Sequence, residues 1–247
     1  MLYEPTPSPG ELHFSIFGIP VRVHPFFWLI GLLLGPLTRA GLPENLAWIT
    51  AFFIGILLHE LGHAAVLRAL GHQPWIVLYG FGGLTAYGPQ TTFRRFGPPW
   101  VREVLISAAG PAAGFLLAGA IAVALLASGR TVTMHVPFWP LMFPVFDPHG
   151  LPPLFAKFLY DLLFVTIAYG ILNLLPVLPL DGGQIARSVL TRIDPRGGLR
   201  KALVLSVVVA VLVAATAVVK LGLSDGLFLA VLFGWLAVNN YQALQYQ

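Results

Sequence analysis

Two histidines four residues apart on a helix can grip one metal ion. The sequence offers this arrangement in Leu57-Leu58-His59-Glu60-Leu61-Gly62-His63-Ala64. Residues at that spacing share a helix face, so both imidazoles reach the same point. Glu60 is turned one position away. It can meet a water on that ion and take its proton without being a ligand. Random placement of seven histidines and five glutamates would produce the pattern in roughly 0.4% of chains of this length, so composition alone does not explain it.

Two imidazoles do not complete a catalytic zinc site, which usually has three protein ligands and one open position. The chain has no cysteine, which excludes a thiolate ligand and a disulfide framework. The best remaining donor is Asp181, in Asn173-Leu174-Leu175-Pro176-Val177-Leu178-Pro179-Leu180-Asp181-Gly182-Gly183. Two prolines and two glycines preclude a regular helix there. Broken backbone at a membrane is tolerated where it lines a protein cavity. Read by itself, Pro-Leu-Asp-Gly serves equally as a turn leaving the membrane. Likewise His-Glu-x-x-His could be a polar patch that bonds between helices.

The setting is a bilayer. Of 247 residues 57% are apolar and only 10% charged, against roughly 25% charged in soluble domains. The expected fold is membrane α-helical, with about six transmembrane helices and a small cytoplasmic-side β-sheet. Apolar segments lie at about 25–40, 45–68, 101–128, 155–176, 200–221 and 225–242. The first is short and ends at Gly35-Pro36. The polar, proline-rich start lacks the charged beginning and short apolar stretch of a secretory signal, so that first run is expected to stay as a span. Residues 1–247 are expected to form one polytopic domain. Its core spans are 45–68, 101–128 and 155–181. With a cytoplasmic N-terminus, ten of the fourteen Lys and Arg fall on the cytoplasmic side. That bias predicts six spans with both termini cytoplasmic.

Two stretches, 11–24 and 75–88, alternate apolar and other residues about glycine-containing turns and predict β-strands. Thr131–Pro153, rich in proline and aromatics, reads as an interfacial loop. His13, His24 and His72 lie near membrane edges and read as interfacial, with His72 the best exception. Gly110-Pro111 and Gly114 suit close helix packing, with contact to the active-site cavity as the alternative. Asp161 reads as solvated, with a buried partner as the alternative, and Asn239 and Asn240 as the end of the last helix. The net charge of +4 lacks the basic clusters with interleaved aromatics of a nucleic-acid binder.

The pairing of His-Glu-x-x-His in an early span with Asn-x-x-Pro-x-x-Pro-Leu-Asp-Gly-Gly in a later one resembles the site-2 protease family of intramembrane metalloproteases. Phe17-Gly18-Ile19-Pro20-Val21, Gly80-Phe81-Gly82-Gly83 and Ala108-Ala109-Gly110-Pro111-Ala112-Ala113-Gly114 extend the likeness over most of residues 11–190. The resemblance implies a zinc metalloendopeptidase that cleaves transmembrane segments of other membrane proteins, lodged in the cell (inner) membrane. It implies one Zn2+ per chain on His59, His63 and Asp181, Glu60 as general base, and Asn173 holding the reacting carbonyl. Many members also carry a PDZ domain or a CBS pair; neither is visible here, so regulation through them is not expected. Two other readings fit the composition: a metal-binding membrane transporter and an inactive protease-like scaffold. An inverted repeat, expected of many transporters, is not visible.

Overall fold

A computed structural model describes residues 5–35, 41–80, 82–89, 97–138 and 141–246. The order of elements is β1 (Leu12–Ile16), β2 (Ile19–Val23), α1 (Pro25–Leu33), α2 (Leu42–Ala69), β3 (Pro74–Tyr79), β4 (Gly82–Tyr87), α3 (Pro99–Ala127), β5 (Val132–Phe138), β6 (Leu141–Phe146), α4 (Pro153–Asn173), α5 (Asp181–Ile193), α6 (Gly198–Asp225) and α7 (Leu227–Gln245). Helices α2, α3, α4, α6 and α7 are each long and apolar enough to cross a bilayer. The chain is a multi-pass, mostly helical membrane protein with a small sheet. The first expected span behaves differently. Its described part is α1, nine residues long, or about 13 Å at 1.5 Å per residue, well short of a ~30 Å hydrocarbon core. The rest of that expected span, 36–40, lies outside the described residues.

Two compact units form: residues 2–96 with 109–171, and residues 97–108 with 172–247. The first holds the four-stranded sheet, ordered β1-β2-β3-β4. β1 and β2 pair antiparallel with Ile16 opposite Ile19. The two-residue turn between them puts both Phe17 and Gly18 at positive φ, 52° and 74°, the handedness that matches strand twist in a tight hairpin. β2 runs parallel to β3, and β3 antiparallel to β4. Ile19, Val21 and Val23 alternate inward from β2, while Ile76, Val77 and Leu78 of the central strand β3 are all buried. All of these except Val77 pack with Phe27, Phe52, Ile56 and Ala64 into one core, so the sheet is seated on α1 and α2.

α2 begins with Pro43 in its first turn and Glu44 beside the N-terminal dipole. It ends in a Schellman closure: Gly71, at φ 90°, donates to the Arg68 carbonyl, and His72 N–H to that of Leu67. The segment expected to be an interfacial loop, Thr131–Pro153, instead contains the β5–β6 hairpin. Its β-branched and aromatic content satisfies the backbone better by pairing than as irregular chain. Asp161, expected to be solvated, is buried on α4 at 6% exposure. The Lys157 ammonium one turn earlier pairs with it at 2.6 Å.

In the second unit, α4 stops at Asn173 and α5 starts at Asp181, so the expected 155–181 span is broken where Pro176 and Pro179 stand. α5 is a 13-residue amphipathic helix too polar to register as an apolar segment. Val177, Ala210, Phe233, Leu236 and Ala237 form this unit's core. Asn239 and Asn240 do not end α7, which runs to Gln245; Asn240 is buried.

Candidate metal centre

His59, Glu60 and His63 lie past the middle of α2, and all three are buried, at 3%, 3% and 8% exposure. The helical spacing brings the two imidazoles together edge-on, with ring centroids 4.9 Å apart and potential ligand nitrogens within 4.8 Å of each other. Both rings face the backbone of α3 at Gly110. A methyl group placed on Gly110 would stand 2.3 Å from His63 Nε2 and 2.6 Å from His59 Nε2. Both Nε2 atoms therefore lie directly against α3 at residue 110, an approach that only glycine permits. Gly62, inside the motif, does related work. A methyl there would meet the Ala109 carbonyl oxygen of α3 at 2.3 Å. Glycine thus lets α2 and α3 approach closely enough to form the cradle. The donor set suits a zinc ion: two imidazole nitrogens lie close enough together to ligate one ion.

Glu60 is held from the sheet. The Thr85 hydroxyl of β4 is 2.7 Å from Glu60 Oε2 and 3.1 Å from the Glu60 carbonyl oxygen. Gly83 lets the strand pass directly over the carboxylate stem; a methyl on it would sit 2.2 Å from Glu60 Cγ. Tyr169 of α4 completes this side. Its ring stands edge-on to His59 at 4.7 Å, and its hydroxyl accepts the Gly83 N–H at 3.3 Å. β4 is the terminal strand of the sheet order, so the strand nearest Glu60 is also an edge.

Asn173 and Asp181 belong to the second unit and bracket residues 174–180. Asn173 is the last residue of α4 and Asp181 the first of α5. The two glycines after Asp181 are needed for contact: a methyl on Gly182 would meet the Leu174 carbonyl oxygen at 2.0 Å, and one on Gly183 the Val177 carbonyl carbon at 2.4 Å. The start of α5 is thus folded tightly back on the loop that leads to it.

Of the other singled-out histidines, His24 Nδ1 accepts the Phe26 N–H and caps α1. His13 stands 3.4 Å from the Glu11 carboxylate, and the His72 ring lies edge-on to Tyr87. Sequence reasoning did not single out Thr85 or Tyr169. The only trace of Thr85 is a lone hydroxyl in the strand Leu84-Thr85-Ala86, and Tyr169 is one aromatic among many. Gly110 had a visible signal, Ala-Ala-Gly-Pro, which composition assigns to packing.

Comparison with known proteins follows the same lines. Residues 151–215 match the model of Peptidase family M50. The protein named zinc metalloprotease Rip3 in Mycobacterium tuberculosis is 32% identical over 247 residues, covering 91% of this chain and 53% of that one. Zinc metalloprotease MJ0392 of Methanocaldococcus jannaschii is 27% identical over 183 residues, covering 72% and 45%. The chain spans about half the length of the curated relatives it matches. In fold it is similar to a solved site-2 protease from Methanocaldococcus jannaschii, with a TM-score of 0.56, 20% identity and 95% of both chains covered. With its motifs set beside these matches, the chain is related to the zinc metalloproteases, carries the Peptidase family M50 match over residues 151–215, and is similar in fold to a site-2 protease.

Proposed function

We propose that the protein is an intramembrane zinc metalloprotease that hydrolyses peptide bonds within or near transmembrane segments of other membrane proteins. One observation carries this reading above the rest: two buried imidazoles bring their ligand nitrogens within reach of one ion while the intervening Glu60 is held by Thr85. In this reading His59, His63 and Asp181 ligate one zinc per chain. Bound there, zinc would supply Lewis acidity, making water nucleophilic near neutral pH and polarising the scissile carbonyl.

The chain's own residues do the rest. Glu60 takes the proton of the attacking water on a carboxylate oxygen and later passes it to the leaving amine nitrogen. Thr85 keeps that carboxylate in place. Asn173 donates its amide N–H to the carbonyl oxygen as negative charge develops there. A helical substrate must unwind to expose a peptide bond. β4, an edge strand among the described residues, offers backbone partners for the extended segment, and its Gly82-Gly83 permits close approach. The proposed setting is the cell (inner) membrane with both termini cytoplasmic, in keeping with the basic bias of the loops.

The test is Glu60→Gln in the full chain. The variant is expected to keep one zinc per chain by elemental analysis and to lose cleavage of a membrane-anchored reporter. Full cleavage by that variant would remove Glu60 as the base.

A further inference from the structure

The loop 174–180 contains a residue whose backbone is held wholly by side chains of distant helices. Other parts of the loop bond locally: Val177 N–H donates to the Leu175 carbonyl at 2.7 Å and Leu180 N–H to the Val177 carbonyl at 2.8 Å. Leu178 differs. Its N–H donates to Ser206 Oγ of α6 at 3.0 Å. Its carbonyl accepts Asn240 Nδ2 of α7 at 2.7 Å. The next residue, Pro179, has no N–H to offer.

Both side chains are buried, Ser206 at 1% and Asn240 at 5% exposure. Their hydrogen-bonding capacity matches the task. Ser206 has one hydroxyl hydrogen and spends it on the Ala202 carbonyl of its own helix at 2.8 Å. That leaves oxygen lone pairs for the Leu178 N–H. Asn240 has two amide hydrogens. One goes to the Leu236 carbonyl at 2.8 Å and the other to Leu178. A buried serine and a buried asparagine in apolar membrane helices are costly unless satisfied. Here both are satisfied, and each uses the remaining capacity on the same loop residue. Val177, fully buried against Ala210 and Phe233, anchors the side chain next door.

Asp181 follows three residues after Leu178. The chain between them is short and contains Pro179, so fixing the Leu178 backbone restricts where the Asp181 carboxylate can stand. Gly182 and Gly183 press back on Leu174 and Val177 from the other side. We infer that Ser206 and Asn240 are positioning residues: a clamp from α6 and α7 that holds the Leu178 backbone so that Asp181 is set in place as a metal ligand. The inference rests on the reading of Asp181 as the third zinc ligand. It gives the last two spanning helices a part in the metal site.

The experiment measures zinc affinity of the full chain in lipid nanodiscs by chelator competition, alongside the unfolding temperature of the zinc-free protein. Ser206→Ala and Asn240→Leu each remove one arm of the clamp. Both are expected to weaken zinc binding by about 10- to 100-fold, the usual cost of losing a partner that orients a ligand. Ser206→Thr keeps the hydroxyl and is expected to stay within a few-fold of wild type. Phe233→Leu, in the same core, controls for general loosening and is expected to keep wild-type affinity at a comparable drop in unfolding temperature. Wild-type affinity in Ser206→Ala and Asn240→Leu, while Asp181→Ala loses zinc, overturns the clamp alone. An equal loss in Phe233→Leu also overturns it. Wild-type affinity in Asp181→Ala overturns the ligand reading and the clamp with it.

Discussion

Gly110→Ala should yield a folded protein without zinc. The added methyl would lie 2.3 Å from His63 Nε2 and 2.6 Å from both His63 Cε1 and His59 Nε2, where ordinary contact begins at 3.4 Å. To clear it, the imidazoles would have to retreat by about 1.1 Å and 0.8 Å respectively. Metal–ligand distances tolerate only about ±0.2 Å, so the displacement is several times what the site can absorb. Zinc affinity is therefore expected to fall by at least about 100-fold, equivalent to ~2.8 kcal/mol at 1.4 kcal/mol per decade. The fold itself has less reason to suffer. Replacing glycine by alanine inside a helix ordinarily stabilises by about 0.5–1 kcal/mol, which offsets part of the strain at the rings. Gly119→Ala in the same helix supplies the control, since no atom lies within 4 Å of its added methyl. It should keep zinc and unfold at the same or a higher temperature. Zinc per chain by elemental analysis, chelator competition, and thermal unfolding of the zinc-free protein decide the matter. One tightly held zinc per chain in Gly110→Ala would show that the ion does not sit over residue 110, and the proposed site would have to be abandoned.

Two further outcomes follow from particular contacts. Thr85→Val removes the hydroxyl at nearly constant shape, and Glu60 loses a charge-assisted hydrogen bond worth about 1.5–3 kcal/mol; kcat on a membrane-anchored substrate should drop by about 10- to 150-fold with zinc retained, and Thr85→Ser should recover most of it. Unchanged turnover in Thr85→Val would mean that the hydroxyl does not hold the base. Asp194, between α5 and α6, has its carboxyl held below the usual value by the Gly197 N–H and then by Lys201, with Arg196 N–H adding to them. A lowered folded-state value means stability that is present above the unfolded value near ~3.9 and lost as pH falls through the lower folded one. Wild type should therefore unfold at a higher temperature than Asp194→Asn above about pH 5, and the gap should close below about pH 4. A gap independent of pH would count against this account.

What could be read in advance divides by range. The long helices were legible because a bilayer demands runs of about 20 apolar residues, and α2, α3, α4, α6 and α7 supply them. The first hairpin was legible because Phe17-Gly18 sits between alternating strands, a signal carried by adjacent residues. α5 was not, since its 13 residues are amphipathic rather than apolar, and no bilayer-length run announces them. β5–β6 was missed because proline and aromatic residues at a membrane edge suit a loop as well as a strand. Asp161 was misread for a similar reason. Its partner Lys157 is one turn away in sequence, but whether such a pair is buried depends on what covers the helix.

The site follows the same rule with a sharper consequence. His59, Glu60 and His63 announce themselves because a helix brings residues four apart together with no help from the rest of the fold. The residues that make the motif usable are elsewhere: Thr85 on a strand, Gly110 on the next long helix, and Tyr169 on the one after. None has a distinctive spacing, because each meets α2 across the fold rather than along the chain. Glycine is the hardest of these to recognise, since its contribution is an absent side chain. In Ala-Ala-Gly-Pro-Ala-Ala-Gly, packing explains the two glycines equally well until the rings of His59 and His63 are placed against one of them. The two cases then separate. At Gly114 a methyl would meet the Thr166 carbonyl oxygen at 3.2 Å, and at Gly110 it would meet the Nε2 atoms of His63 and His59 at 2.3 and 2.6 Å. The first is a helix-packing constraint, which a shift of a few tenths of an ångström can relieve. The second excludes any larger residue from a space the proposed chemistry requires. Alanine at position 114 should thus be tolerated where alanine at position 110 is not, although the sequence places the two in the same small-residue run.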